Sequence, residues 1–365
     1  MKDIDMRSLK NIIFPSILAL LFFCQTVGAC TSFQLVAADG SRVYARTMEF
    51  QFPLYSDVVI MPRNFHFVAT GPNNQPGASW DGKYGVVGMN GFGKPLVIDG
   101  LNEKGLAGGI LYFPDHAVYA NPKDVDAKKS MAPWEFMSWA LMNFASVAQI
   151  KAALNDVSVI NIVQPDLKVV PPFHYVFHDA SGAVLVVEPI KGKLVAHDNP
   201  YGVMTNSPPF DWHVNNLGNY VKLSPVEPDP IKVFGQSVSP ISTGAGFLGM
   251  PGDSTSPSRF IRALAYTSTI TPAKSADENV RLAEHVLHNF DIPIGSIRTP
   301  INKKTFMELT QWSVISDLKN MRFYFSTYDY QPLRMVDLNR TNFDKPTPTF
   351  ISLKSKYSIE TLATQ

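Results

Sequence analysis

The chain has 365 residues, with 32 lysine and arginine residues against 31 aspartate and glutamate residues, and 45% of its residues are hydrophobic. This near-neutral charge, with no basic cluster, argues against a protein that binds nucleic acid. An ordinary glycine content excludes collagen-like chains, and two cysteines are too few for a disulfide scaffold or a zinc ribbon. The sequence therefore predicts a globular enzyme, binding protein or surface module.

The N-terminal segment has the features of a secretory signal peptide. Its start is basic, and the apolar stretch 12–24 that follows is too short to span a bilayer comfortably. Small residues up to Ala29 then fit the site that a signal peptidase cuts. We therefore expect a signal peptide at residues 1–29, export to the periplasm or the medium, and a single mature domain at residues 30–365 without stable membrane insertion.

Cleavage after Ala29 would make Cys30 the first residue and the sole cysteine of the mature chain. The neighbouring residues alone leave two interpretations of this cysteine open. The stretch 27–30, Val-Gly-Ala-Cys, satisfies the loose pattern of a lipoprotein signal, in which an acylated Cys30 anchors a non-catalytic surface or binding protein. Alternatively, Cys30 is an N-terminal nucleophile whose own α-amine, with a pKa near 7.7–8.0, serves as the general base.

The first part of the mature chain is rich in β-forming residues. Alternating residues at 31–36 and 42–45, separated by the turn Ala38-Asp39-Gly40, predict a hairpin that brings the second strand back beside Cys30. Further strands are expected at 57–61, within the glycine-rich region 85–111, and at 107–113.

Helices and hairpins alternate along the rest of the chain. Helices are expected at 134–143, at 147–154 with Ser146 as the N-cap, at 258–266 with Ser258 as the cap, and at 276–289. Hairpins are expected at 175–187 and 312–326, and the polar tail after Asp337 predicts a surface segment. Because strands and helices do not alternate strictly, we expect one antiparallel α+β domain.

Two charged residues of the predicted hairpin are candidates for the chemistry of Cys30. Arg46 lies on the return strand, and a guanidinium beside the thiol would favour the reactive thiolate. Glu49 follows and could hold the α-amine by a hydrogen bond. A surface ion pair at the end of a strand is the alternative explanation for both residues.

Two later segments carry further candidates. Asn206 lies in the stretch Met204-Thr-Asn-Ser-Pro-Pro-Phe-Asp-Trp-His213, where an amide on a rigid turn could stabilise an oxyanion. An aromatic-capped loop is the alternative for this stretch. Arg259 stands near the start of a predicted helix, against the helix dipole, which suggests another purpose for it. Tyr112, before Pro114, is on its own an ordinary strand aromatic.

Other catalytic motifs are missing from the sequence. It has no Gly-x-Ser-x-Gly elbow, no phosphate-binding loop, no dinucleotide-binding motif and no HExxH zinc motif. His285 and His288 share a helix face but have no third ligand nearby. We expect no cofactor and no metal site, although the sequence leaves metal binding by carboxylates open.

The order and spacing of several segments resemble the choloylglycine hydrolase family. These segments are CTSFQL, ARTMEF, MPRNF, DGLNEKGLAGGILYFP, VMTNSPPFDWHVNNL, GMPGDSTSPSRFIR and TQWSVISDLKN. The family contains the bile salt hydrolases and penicillin V acylases and belongs to the N-terminal nucleophile hydrolases. The resemblance implies a four-layer αββα sandwich and cleavage of a non-peptide amide between an apolar acyl group and a small polar amine. It also favours the nucleophile interpretation of Cys30, and it implies a homo-oligomer.

The resemblance implies a role for each candidate in the active site. Cys30 would be the nucleophile, its freed amine the base, and Arg46 the neighbouring cation. Glu49 stands where the family commonly has aspartate, so its longer side chain shifts the carboxylate that positions the amine. The remaining implied positions are Asn206 and the backbone N–H of Tyr112 at the oxyanion, Arg259 as a second arginine, and Asn102 as a turn residue.

An apolar acyl group needs an apolar pocket, and several large side chains lie within or near the motif segments. The candidates for substrate contacts are Met48, Phe50, Phe52, Trp80 and Phe210. The acyl group would be a bile acid, a phenoxyacetyl group or the fatty chain of an acyl-homoserine lactone, and the sequence does not separate these three.

Overall fold

The computed structural model describes residues 28–301, 304–357, 359 and 362. The predicted signal peptide therefore lies outside the described residues except for Gly28 and Ala29. The strands are β1 Cys30–Val36, β2 Arg42–Phe50, β3 Asp57–Met61, β4 His66–Thr70, β5 Pro76–Asp81, β6 Val86–Met89, β7 Asp99–Asn102, β8 Ala107–Tyr112, β9 Ser130–Met131, β10 Ser158–Val159, β11 Phe173–His178, β12 Val184–Ile190, β13 Lys193–Asp198, β14 Ile231–Val233, β15 Gln236–Val238, β16 Arg298–Ile301, β17 Lys304–Met307, β18 Leu309–Asp317, β19 Arg322–Thr327, β20 Tyr330–Asp337 and β21 Thr349–Ser352. The helices are α1 Phe136–Asn143, α2 Val147–Ala153, α3 Phe210–Asn216, α4 Ser256–Thr269 and α5 Ala276–Leu287.

Two antiparallel sheets stack face to face and are covered by helices on their outer sides. The first sheet has the strand order β1-β2-β18-β19-β20, and the second has the order β13-β12-β11-β8-β7-β6-β3-β21. Helices α4 and α5 pack on the first sheet, while α1 and α2 pack on the second. The predicted antiparallel four-layer αββα sandwich is thus confirmed.

The alternation of side chains along β12 shows how the layers are held together. Val184 and Val186 point into the core between the two sheets, whereas Leu185 and Val187 point towards α1 and α2. Because successive strand residues face opposite sides, a strand buried on both faces needs a continuous apolar run. The sequence Val-Leu-Val-Val in β12 meets this need.

The hairpin at the start of the described chain forms as expected. β1 and β2 pair in antiparallel register, with Cys30 opposite Met48 and Ser32 opposite Arg46. At the turn, the Asp39 carboxylate accepts hydrogen bonds from the Ser41 backbone N–H and hydroxyl, at 2.9 and 2.5 Å. This local turn fixes the register and therefore fixes which β2 residues lie beside Cys30.

Of the two predicted helix caps, one is confirmed and one is wrong. Ser146 caps α2, because its hydroxyl accepts a hydrogen bond from the Gln149 backbone N–H. Ser258 lies inside the first turn of α4, whose N-cap is Thr255. The Ser258 hydroxyl instead donates to Asp253 at 2.7 Å, which fixes the loop before the helix.

The segment after Asp337 lies largely at the surface, as predicted, but two of its apolar residues reach the core. Leu338 and Phe343 are buried, and β21 pairs with β3 to complete one edge of the eight-stranded sheet. The Phe343 ring occupies the space that a side chain at Gly85 would fill. The tail therefore contributes to the core through a few apolar residues in a largely polar segment.

In the described part of the chain, we find no helix with the length and apolar character needed to cross a bilayer.

Candidate active site

Cys30 begins the edge strand β1, and a second segment covers this edge. The Ser32 backbone N–H donates to the Met204 carbonyl at 2.8 Å, and the Met204 N–H donates back to Ser32 at 3.0 Å. This short bridge carries Asn206 to the start of β1. There the Cys30 backbone N–H donates to the Asn206 side-chain oxygen at 2.7 Å, and Cys30 is 2% exposed.

The Arg46 guanidinium lies beside the thiol, as the hairpin predicts. Its Nη2 is 3.1 Å from the Cys30 sulfur, and its Nη1 donates to the Ile110 carbonyl at 2.7 Å. The cation is fully buried and 3.6 Å from the equally buried Asp99. It also lies over the Trp312 ring, 5.3 Å from its centre. Arg46 therefore has one fixed position, with a guanidinium nitrogen aimed at the nucleophile candidate.

Burial raises the pKa of the Cys30 thiol, although the nearby cations act in the opposite direction. Arg46 lowers this pKa, Glu49 raises it, and Arg259 lowers it. The charge of Arg46 thus favours the thiolate, as expected. In the chain that still carries Ala29, however, the loss of solvent around the sulfur raises the pKa by more than Arg46 lowers it.

Arg259 connects the strand and the Asn206 turn. It lies in the first turn of α4 and is buried, and its Nη1 donates to the Cys30 carbonyl and to the Thr31 hydroxyl. Its Nη2 donates to the Asn206 side-chain oxygen at 2.7 Å. Because this oxygen accepts from both Arg259 and Cys30, the amide nitrogen of Asn206 must point away, and it donates to the Tyr112 carbonyl at 2.8 Å.

In the uncleaved chain the Cys30 peptide N–H donates to Asn206 and not to Glu49, so the expected contact of Glu49 with a freed α-amine stays a prediction. The Glu49 carboxylate accepts a hydrogen bond from the Thr310 hydroxyl at 2.9 Å, because Thr310 lies opposite Glu49 in the pairing of β2 with β18. Burial raises the pKa of Glu49 to about 8, against the hydrogen bonds and the arginines that lower it. The group that holds the Cys30 nitrogen is the Asn206 oxygen.

Tyr112 contacts Cys30 through its backbone, and its side chain lines a cavity beside the thiol. Its backbone N–H hydrogen bonds to the Cys30 sulfur. Its ring meets Phe50 and Phe173 edge-on, at centre distances of 6.0 and 6.2 Å.

Asn102 behaves as the turn residue that the sequence predicts. Its side-chain oxygen accepts two backbone N–H groups, and its nitrogen donates to two carbonyls at the end of α1.

A cavity opens next to the thiol. Its walls are almost entirely apolar, and two of the predicted substrate contacts, Met48 and Phe50, belong to them. The lining residues are Cys30, Met48, Phe50, Leu54, Gly91, Phe92, Leu96, Ile98, Ile110, Tyr112, Trp134, Gln164, Leu167 and Phe173. The cavity can therefore hold an apolar group with its polar end at Cys30.

The other three predicted substrate contacts do not line this cavity. Phe52 lies edge-on to Phe306 at 5.0 Å, and Trp80 stacks on Phe67 at 4.6 Å in the small β4–β5 sheet. Phe210 is buried at the start of α3. Nearness to a motif in sequence does not decide which side of a strand or helix a ring occupies, so these three are removed from the substrate site.

Two buried residues at the site went unpredicted, namely Tyr44 and Asp99. The Tyr44 hydroxyl donates to Asp99 at 2.7 Å, and Asp99 faces Arg46. Gly109 makes room for this cluster, because an added Cβ would overlap the oxygens of both residues. The sequence feature that could have identified Asp99 is its place between the apolar run 96–98 and Gly100. Among the described residues, no group of three or more His, Cys, Asp or Glu side chains is arranged to hold a metal ion.

The αββα sandwich is the fold of the N-terminal nucleophile hydrolases, and the buried Cys30 begins its first strand. The model of the linear amide C–N hydrolases, choloylglycine hydrolase family, matches residues 30–351, and the chain belongs to this family. It is 34% identical over 321 residues to a bile salt hydrolase/transferase from Clostridium perfringens, covering 86% of this chain and 94% of the relative.

Two further comparisons agree with this assignment. The chain is 24% identical over 349 residues to a penicillin V acylase from Pectobacterium atrosepticum, covering 90% of this chain and 86% of the relative. A solved variant of conjugated bile acid hydrolase from Clostridium perfringens superposes with a TM-score of 0.81 at 31% identity, covering 92% of this chain and all of that one. The chain is thus a hydrolase of linear amide C–N bonds.

Proposed function

We propose that removal of residues 1–29 exposes Cys30 as an N-terminal nucleophile, and that the exported domain cleaves amides between an apolar acyl group and a small polar amine. The arrangement around Cys30 carries this proposal. Its sulfur lies 3.1 Å from Arg46, its nitrogen lies 2.7 Å from the Asn206 oxygen, and its side chain faces the apolar cavity. These contacts supply a cation for the thiolate and a fixed place for an α-amine.

The reaction follows from these positions. The α-amine takes the thiol proton, and the sulfur attacks the amide carbonyl to form a tetrahedral oxyanion. The donors that we assign to this oxyanion are the Tyr112 N–H, which lies against the Cys30 sulfur, and the second hydrogen of the Asn206 amide nitrogen. The ammonium then protonates the leaving nitrogen, the C–N bond breaks, and a thioester remains. Water, deprotonated by the same amine, hydrolyses the thioester and restores the thiol.

The cavity supports an apolar acyl group. Its walls are apolar except at Cys30, Tyr112, Trp134 and Gln164, as is usual for small-molecule pockets. The named relatives act on bile salts and on penicillin V. Bile acid, phenoxyacetyl and fatty acyl groups are therefore the acyl groups to screen, the last as acyl-homoserine lactones.

The lipid-anchor alternative fits the surroundings of Cys30 poorly. The cysteine is 2% exposed, and both its nitrogen and its sulfur are engaged inside the protein. A diacylglycerol on the sulfur and a fatty acid on the nitrogen would break both contacts. We also propose a homo-oligomer, because exposed apolar side chains are concentrated in the segment 221–248, among them Phe234 and Ile241, and exposed apolar patches mark interaction sites. Light scattering after size exclusion tests this, and a monomer mass contradicts it.

Turnover by Cys30 variants tests the proposed function. The protein beginning at Cys30 is assayed with conjugated bile acids, penicillin V and acyl-homoserine lactones, next to Cys30→Ser and Cys30→Ala. We expect hydrolysis of at least one of these amide classes, a large loss in Cys30→Ser because a hydroxyl ionises far less readily, and no turnover in Cys30→Ala. Full turnover by Cys30→Ala contradicts the proposal.

A further inference from the structure

His213 belongs to the same segment as Asn206 but takes no direct part in the proposed reaction. It lies on α3, which begins at Phe210, four residues after Asn206. The chain folds back there, so that Nε2 of His213 lies 2.9 Å from the backbone carbonyl oxygen of Asn206. His213 is fully buried and does not belong to the lining of the apolar cavity. It therefore contacts Asn206 without contacting the cavity proposed for the acyl group.

The direction of this hydrogen bond follows from the protonation of the ring. Burial lowers the pKa of His213 to about 4, although the hydrogen bond to Asn206 acts in the opposite direction. The imidazole is therefore neutral near pH 7 and carries a single N–H. Since a carbonyl oxygen can only accept, this hydrogen lies on Nε2 and is donated to Asn206.

The same tautomer leaves the other ring nitrogen, Nδ1, as an acceptor without a hydrogen. Nδ1 is buried and has no hydrogen-bond partner among the described residues. A buried acceptor without a donor is unfavourable for the folded state. The ring stacks on Phe260 at a centre distance of 4.7 Å, and a phenylalanine ring could make the same contact. Packing therefore does not account for a histidine at this position, whereas the Nε2–H does.

The contacts of Asn206 show what the hydrogen bond from His213 controls. The Asn206 side-chain oxygen accepts from Arg259 at 2.7 Å, and its side-chain nitrogen donates to the Tyr112 carbonyl at 2.8 Å. Its backbone N–H donates to the Ser256 hydroxyl at 2.9 Å. The His213 hydrogen bond adds a hold on the backbone carbonyl. The direction of the remaining amide hydrogen depends on where this backbone is held.

The His213 ring also connects the Asn206 backbone to α4. Phe260, on which the ring stacks, follows Arg259 directly in that helix. Helix α4 therefore holds Asn206 in two ways, since Arg259 contacts its side chain and Phe260 supports the ring that contacts its backbone. Loss of the His213 hydrogen bond would free the backbone while the side-chain oxygen stays bound.

We propose that His213 is a positioning residue for the amide hydrolysis, because its Nε2–H fixes the Asn206 backbone and so directs the second Asn206 amide hydrogen at the oxyanion. This inference rests on the proposed function, in which Asn206 is an oxyanion donor. A displacement of about 1 Å in a reacting geometry can lower a rate about 100-fold. His213 therefore acts on kcat, and the affinity for the acyl group does not depend on it.

Two substitutions at His213 separate its N–H from its packing. His213→Phe keeps a ring against Phe260 and removes the N–H, whereas His213→Gln loses the ring and keeps an amide N–H at about the reach of Nε2. Both proteins begin at Cys30, are shown to fold by urea unfolding, and are assayed with the amide that the wild type cleaves fastest. We expect kcat of His213→Phe to fall about 10–100-fold with KM nearly unchanged, and His213→Gln to keep most of the wild-type kcat.

A role in packing predicts the opposite order, because only His213→Phe keeps the ring. A wild-type kcat in His213→Phe overturns the inference, and so does a kcat of folded His213→Gln that is no higher than that of His213→Phe. His285 provides the matched control, because it is an exposed histidine on α5. The same two substitutions at His285 should leave kcat and KM unchanged.

A measurement on the wild-type protein decides the matter if either His213 variant fails to fold. NMR of the histidine ring nitrogens shows which nitrogen carries the hydrogen, and the His213 signals are assigned through the protons of the stacked Phe260 ring. We expect a neutral ring with the hydrogen on Nε2 at pH 7. A hydrogen on Nδ1, or a charged ring at this pH, overturns the inference.

The failure of this inference is distinguishable from the failure of the proposed function. Full turnover by His213→Phe overturns the positioning role and leaves the amidase function standing. Absence of hydrolysis of every screened amide by the wild-type protein overturns the function, and the inference falls with it.

Discussion

Replacing Arg46 by methionine removes the cation beside the nucleophile and keeps an unbranched side chain. The guanidinium nitrogen is 3.1 Å from the Cys30 sulfur, and a hydrogen bond that involves a charged group contributes about 1.5–3 kcal/mol. Since one pKa unit corresponds to about 1.4 kcal/mol, the pKa of the thiol should rise by roughly 1–2 units. Thiol reactivity and kcat/KM at pH 8 should then fall by about 10–150-fold.

The same substitution should destabilise the protein for a separate reason. Arg46 also faces Asp99 at 3.6 Å, and neither side chain is exposed. Removal of one partner from a buried ion pair costs about 3–5 kcal/mol in the free energy of unfolding, because an uncompensated charge remains. Asp99→Asn removes that charge. The double variant Arg46→Met/Asp99→Asn should therefore recover most of the stability and none of the lost reactivity.

Two measurements on the protein beginning at Cys30 separate these effects. Urea unfolding gives the free energies for the wild type, both single variants and the double variant. The rate of alkylation by iodoacetamide at pH 8, together with kcat/KM, gives the reactivity of the thiol. If the double variant alkylates and turns over like the wild type, the guanidinium does not activate Cys30 and the reasoning is refuted.

Two further substitutions test the buried surroundings of the site. Gly109→Ala places a methyl group against Asp99 and Tyr44, so it should lower the free energy of unfolding by about 1–3 kcal/mol. The control Gly218→Ala places its methyl group in open space and should leave the free energy of unfolding unchanged. Equal urea midpoints for the two variants contradict this prediction. Glu49 has a pKa of about 8 when folded, above its ordinary 4.5, so the protonated form is favoured on folding. Relative to Glu49→Gln, the wild type should lose stability as pH rises from about 4.5 to 8, by at most about 5 kcal/mol, and a pH-independent difference between their unfolding curves contradicts this.

The hairpin at the start of the domain could be predicted from the sequence because its determinants are local. The turn at Asp39 and the alternation of side chains fix the register, and the register places Arg46 next to Cys30. The resemblance to a family was needed for Asn206, which reaches Cys30 through a bridge between Ser32 and Met204. No local pattern encodes a contact between positions so far apart in sequence.

The details of the site depended on distant pairings in the same way. The Glu49 carboxylate accepts a hydrogen bond from Thr310, which lies 261 residues away on β18. The walls of the apolar cavity come from several separate segments, so the sequence identified Met48 and Phe50 but also named Trp80, which faces another part of the molecule. Composition and periodicity predict which side of a single strand or helix is buried. Which buried sides pack against each other depends on how the sheets assemble.

The proposed amidase reaction requires Cys30 to be the free, reactive first residue of the mature protein. The most direct test is the intact mass of the protein purified from the exporting cell, before and after brief treatment with iodoacetamide. We expect the mass of residues 30–365, followed by the addition of one carbamidomethyl group at Cys30. A mass that retains residues before Cys30, a mass raised by lipid chains, or a thiol that resists alkylation would contradict it.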